Sequence, residues 1–117
     1  MKIFHYTEHK PFPAKTLGIE DASGLSIRFL ITQGDGAPNF AMMHLELEPG
    51  GCTPNHQHGW EEEIFVKTGA GKIKSGDQTT AICPGDVIYI APDEAHQFVN
   101  TGEENLELLC VIPNNPG

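Results

Sequence analysis

Clusters of turn-forming residues recur along the chain at short intervals, at GDG (34–36), PGG (49–51), GAG (69–71), SGD (75–77), PGD (84–86), APDE (91–94) and NTGEEN (100–105). Glycine, proline, aspartate and asparagine each set backbone angles that end a regular element. Between these clusters lie runs rich in Ile, Val, Phe and Leu, and none keeps a helical apolar period for more than two turns. Short strands joined by such turns indicate an antiparallel sandwich or barrel, so the fold class read here is all-β. The segment KIKSGDQTTAI has the form of a hairpin about Gly76 and Asp77, and prolines fall at strand ends. With 117 residues, 38% of them apolar, the chain has material for one compact core, and no internal repeat or linker divides it.

Successive strand residues point to opposite faces, so a few obligate outward positions assign the rest. In IFVKTG, Lys67 must face water, which takes Glu63 and Phe65 to its side and puts Glu62, Ile64 and Val66 inside. His96, Phe98 and Asn100 share one face of HQFVN. In LELLCVI, Glu107 goes outward with Leu109 and Val111, leaving Leu106, Leu108, Cys110 and Ile112 inside. Glu46 and Glu48 carry Met42 and His44 to the outer face, and Met43, Leu45 and Leu47 point inward. His5, His9 and His44 are expected to be exposed rather than ligands.

The interior of such a barrel would hold His56, His58, Glu62 and His96. Burying a carboxylate and several imidazoles without partners costs several kcal/mol, roughly, so something must compensate. A divalent cation does so, and His56 and His58, two apart on one strand, would present both rings to the same side. An H-x-H pair also arises by chance on surfaces, and a run of three glutamates such as Glu61 to Glu63 is often a solvated face. Both readings stand on the residues alone. Trp60 is read as a packing wedge.

Charge and cysteine usage narrow the partners. Sixteen acidic residues against seven basic ones give a formal charge of -9, which repels phosphate backbones and anionic membranes. Nucleic acid and membranes are therefore not expected partners. The N-terminal MKIFHYTEHKPFP lacks the uninterrupted apolar segment of a signal peptide, and the expected location is cytoplasmic. Cys52, Cys83 and Cys110 have no C-x-x-C spacing and are read as free thiols.

The motifs resemble those of the cupins, whose first motif reads G-x5-H-x-H-x3,4-E-x6-G and whose second reads G-x5-P-x-G-x2-H-x3-N. Gly50, His56, His58, Glu62 and Gly69 match the first at every position, and choosing Glu63 instead would put Ala70 where the closing glycine belongs. Gly85, His96 and Asn100 match the second, with Ala91 at the proline and Asp93 at the glycine. The resemblance implies a single jelly-roll barrel, a double-stranded β-helix, over residues 1–117, with a metal-site core at about 40–112. Residues 1–37 would supply N-terminal strands packing on the barrel or on a dimer partner. It implies His56, His58, Glu62 and His96 as ligands of one divalent metal, Mn or Fe favoured, with Ni, Co or Zn also accepted by such donors. APNF, EPGG, GWEEEIFV and LLCVIP are similar to small bacterial cupins that bind manganese through four histidines, with Glu62 here in place of the third. Pairing as a homodimer is a further implication, compatible with outward Phe40, Met42 and Phe65.

An open metal site with a pocket of Met43, Ile64, Phe98, Leu108 and Cys110 has open positions and an apolar wall, but no catalytic acid or base stands out. The expected function is metal-dependent oxidation of a small, largely apolar organic molecule, of dioxygenase type. The alternatives are a non-catalytic module that binds or senses a small molecule, and a metal-dependent lyase, decarboxylase or isomerase.

Overall fold

The computed structural model describes residues 1–114 and is built mainly of antiparallel strands. In chain order these are β1 (Phe12–Pro13), β2 (Ser23–Ile31), β3 (Phe40–Cys52), β4 (Glu62–Thr68), β5 (Gly71–Ser75), β6 (Gln78–Ile82), β7 (Val87–Ile90), β8 (Gln97–Asn100) and β9 (Leu106–Pro113). They form one curled sheet in the order β6-β5-β8-β3-β9-β4-β7, with β2 on β3 and β1 on β2. This is the antiparallel barrel expected from the turn spacing, in the jelly-roll form that the motif resemblance implies. Among the described residues, no helix is long and apolar enough to cross a membrane.

Strand β3 holds the barrel together because it is long enough to pair with three neighbours. Phe40 to Leu47 run against β9, Met42 to Leu47 also against β2, and Cys52 at its far end pairs with Val99 of β8. The hairpin between β5 and β6 turns where expected, with Ser75 opposite Gln78 and Gly76 at φ 59°. Gly69 closes β4 for two reasons: its φ is 90°, and a Cβ there would stand 2.5 Å from the Asn105 carbonyl oxygen. The alternation also holds. Ile64, Val66, Phe98, Leu106, Leu108 and Cys110 are buried in one core cluster, joined by Leu25 and Ile27 of β2.

The outer face of the sheet departs from expectation at His44. It faces outward, as parity requires, but is only 1% exposed rather than open to water. The cover is the N-terminal segment: the Tyr6 ring lies 4.9 Å from the His44 ring, and the Lys67 ammonium sits 3.8 Å from the Tyr6 centroid. Arg28 reaches over the same ring and donates to the His9 carbonyl at 2.6 Å. Beneath, Glu107 accepts from Lys67 at 3.1 Å and from Thr68 at 2.7 Å, and its Oε1 is 2.9 Å from His44 Nε2.

This buried cluster makes stability depend on pH. Burial, then the Lys67 charge, holds the His44 pKa below its ordinary 6.5, against the raising pull of Glu107. Burial would raise Glu107, but the Thr68 and Lys67 hydrogen bonds and the Lys67 charge outweigh it and leave the carboxyl below its ordinary 4.5. In both cases the unfolded chain binds the proton more tightly. The stabilising contribution of each is therefore complete above its unfolded pKa and is lost as pH falls through the folded one. Urea unfolding of metal-stripped protein between about pH 7.5 and about pH 5 should show stability falling with acidification, and falling less in His44→Gln. Equal slopes in the two proteins would remove His44 as a source of the effect.

Candidate metal centre

His56 and His58 lie on the connection between β3 and β4, and the local structure differs from the strand expected of H-x-H. It is a loop tied down at a single antiparallel bridge between His56 and His96. His56 N–H donates to the His96 carbonyl at 3.2 Å, and His96 N–H returns the bond to the His56 carbonyl at 2.9 Å. These two bonds bring together segments far apart in sequence. Asp93 adds a third tie, its N–H donating to the His58 carbonyl at 2.7 Å with φ at 64°, the left-handed value for which the second motif carries glycine.

Glu62 enters from the first position of β4, opposite Ile90 on β7. One donor atom from each of His56, His58, Glu62 and His96 lies within 4.8 Å of the other three. His58 Nε2 is 2.9 Å and His96 Nε2 3.9 Å from Glu62 Oε1, and the His56 and His96 rings meet edge on at 4.7 Å. Exposure is graded: His96 is buried, His58 and Glu62 are intermediate, and His56 is exposed at the rim. Trp60 does pack as a wedge, its ring stacked 4.1 Å from that of His58.

Hydrogen bonds fix which nitrogen of two rings turns to the centre. His58 Nδ1 is 2.8 Å from the Trp60 carbonyl, and His96 Nδ1 is 2.8 Å from the Glu94 carbonyl. A carbonyl only accepts, so each Nδ1 carries the proton, and a neutral ring then aims its Nε2 lone pair at the cluster. His96 Nε2 is buried and has no hydrogen-bond partner among the described residues. Burial, followed by the charges of His96 and His58, lowers the His56 pKa against the pull of Glu62, which favours its neutral form. Lone pairs converging on a carboxylate repel one another unless a cation lies among them. The donor set therefore fits a divalent first-row metal.

The cluster opens on a cavity of about 210 Å³ inside the barrel. Of the expected pocket residues, Met43, Phe98 and Cys110 line it, while Ile64 and Leu108 point inward but are packed into the core. Ile19, Leu25 and Ile27 line it as well and were not expected there, although the alternation of LSIRF in β2 carries the signal for the last two. Thr53 also borders the cavity, but its hydroxyl accepts from Phe98 N–H at 2.8 Å. Asn100 serves structure: its amide donates to the Leu47 and Glu104 carbonyls and accepts from Gly102 N–H. The cysteines are free thiols, as expected.

The Cupin domain family profile matches residues 43–112, the stretch that carries all four clustered residues. The chain is 34% identical to the polyketide cyclase RemF from Streptomyces resistomycificus, covering 97% of this chain and 79% of that one with a TM-score of 0.88. It is 35% identical to an oxalate-binding protein from Thermotoga maritima over 69 residues, which are 58% of this chain and 57% of that protein. Identity to auxin-binding protein 1 from Arabidopsis thaliana is 35% over 78 residues, 58% of this chain and 39% of the relative. The chain thus spans less than two thirds of the length of these two curated relatives.

Proposed function

The chain belongs to the cupin family, and on that premise we propose that it is a metal-dependent enzyme acting on a small, largely apolar organic molecule that binds through its own oxygens. His56, His58, Glu62 and His96 would hold one divalent ion, with Mn or Fe favoured and Ni, Co or Zn compatible with the same donors. The observation that carries this is the buried Nε2 of His96, turned into the cluster while Glu94 holds the proton on Nδ1. When bound, the metal supplies a Lewis acid at the cavity wall.

The chain's own residues narrow the substrate. Among the described residues no lysine or arginine lines the cavity, and Leu25, Ile27, Met43 and Phe98 offer only apolar surface. A volume of about 210 Å³ falls below the usual range for drug-sized ligands, roughly 300–1,000 Å³. Besides His56, Glu62 and His96, the one titratable group on the wall is Cys110, whose thiol burial and the Glu62 carboxylate keep protonated. Among the described residues no free acid or base lines it besides the clustered ligands, so proton transfer is easiest for a molecule with an acidic C–H or O–H of its own, as in β-dicarbonyls and catechols.

Likeness to the polyketide cyclase RemF along nearly the whole chain favours ring closure. The missing acid and base favour the second reading, dioxygenase-type oxidation, which asks less of side chains. The three free cysteines suit a reducing, cytoplasmic setting. Exposed Phe65, Val87 and Tyr89 border a shallow groove on the outer face of β4 and β7, and this face is where a homodimer would form. Sedimentation of the purified chain should give the mass of two copies, reverting to one in Val87→Glu. A monomeric wild type would count against pairing.

Two further measurements test the assignment. Trp60 is the single tryptophan and stacks on His58, so its fluorescence reports binding at the centre. Elemental analysis and Trp60 titration should show one Mn(II) per wild-type chain, near-complete loss in His58→Ala, and little change in Glu63→Ala. Equal loss in both variants would mean that the wrong glutamate has been assigned. Secondly, Mn(II)- and Zn(II)-loaded proteins should convert linear polycarbonyls or β-diketones under nitrogen, with His96→Ala inactive. Turnover only in air and only with a redox metal would transfer the assignment to the dioxygenase reading.

A further inference from the structure

The two oxygens of Glu62 face different neighbours. Oε1 is the atom within 2.9 Å of His58 Nε2 and 3.9 Å of His96 Nε2. Oε2 turns the other way, and Cys110 donates to it from Sγ at 3.7 Å. Cys110 is 1% exposed, in β9, opposite Met43 on β3 and Ile64 on β4, so apolar side chains surround the sulfur on both sides. A hydroxyl there would bury a more strongly hydrated group, whereas a thiol packs like a small hydrophobe and still offers a weak proton. His96, 2% exposed and with its Nε2 unpartnered among the described residues, points into the same cluster and marks it as a place for a ligand.

We infer that Cys110 is a positioning residue for the metal centre: its S–H restrains Glu62 Oε2, so that the carboxylate offers Oε1 alone to the ion. This rests on the metal site proposed above. Without the thiol, Glu62 is free to rotate about its last bond, so the cost of ordering its carboxylate falls on metal binding and either oxygen can turn to the ion. The ion would then be held in a different ligand field, with less room for a substrate oxygen. Cys110 contributes no ligand atom in this account. It acts through Glu62, and outer-shell partners of this kind typically change metal affinity by about 10- to 100-fold when removed.

The test titrates Mn(II) into wild type, Cys110→Ala and Cys110→Ser, following Trp60 fluorescence and the Mn(II) electron paramagnetic resonance spectrum, with melting temperature measured alongside. Cys110→Ala should bind Mn(II) at least about 10-fold more weakly and give an altered spectrum. Cys110→Ser, which keeps a donor on a shorter bond that Glu62 must shift to meet, should recover part of the affinity and of the wild-type spectrum even though a buried hydroxyl lowers its melting temperature. A purely structural cysteine would make affinity follow melting temperature in both variants, and that pattern overturns the inference, as does wild-type affinity in Cys110→Ala. Failure of the metal site itself is separately visible, because the wild type would then bind neither Mn(II) nor Zn(II) and both proposals would fall.

Discussion

Everything at the centre of this barrel depends on the pair of backbone hydrogen bonds between His56 and His96. With the bonds between Thr53 and Phe98 they tie the loop before β4 to β8, and they set two imidazoles 4.7 Å apart. Backbone bonds do not depend directly on side-chain identity, proline aside, so the arrangement tolerates variation around it. Asp93 illustrates this. It stands at a position where the second motif has glycine, yet takes the same left-handed angle and bonds the His58 carbonyl. Strain of about 1–2 kcal/mol is what a non-glycine residue pays for that angle, and the bond to His58 offsets part of it.

Much of this was legible because strand parity is a strong constraint. A strand slipped by one residue would expose Ile64 and Val66 and bury Lys67, so the alternation selected Glu62 over Glu63, and the spacing of Gly69 selected it again. Parity gives side, however, and not depth. Ile64 and Leu108 face inward but are filled in by the core, whereas Met43 reaches the cavity. His56 likewise belongs to the cluster but sits at its rim, because a loop with one bridge does not bury its residues as a strand would.

What could not be read from local pattern lies where distant segments meet. His44 is outward by alternation, and only the docking of Tyr6 makes that face dry. Nothing in AMMHLELE announces such a cover. The same is true of Ile19, which precedes β2 and still reaches the cavity wall. Residues 1–31 are therefore more than packing on a finished barrel: their inner side chains border the cavity and their outer ones seal the back of the sheet.

Strand β9 joins these two regions. Leu106, Leu108 and Cys110 point inward and Glu107 outward, so one backbone carries both the thiol beside Glu62 and the carboxylate that anchors Lys67 and Thr68. β9 is paired with β3 along its whole length and with β4 from Glu107 to Val111, which leaves it little freedom to shift by less than a full register step. Of the seven basic residues, Arg28 and Lys67 are committed to the Tyr6 cover, and no basic side chain borders the cavity. On a chain of formal charge -9, a cation held at the cluster would then be the one positive feature an oxygen-bearing ligand meets in the cavity. Selection would rest on that attraction together with the fit of an apolar body to the wall. Polar contacts on the wall come from the metal ligands and the Thr53 hydroxyl, so the apolar remainder selects the ligand chiefly by size.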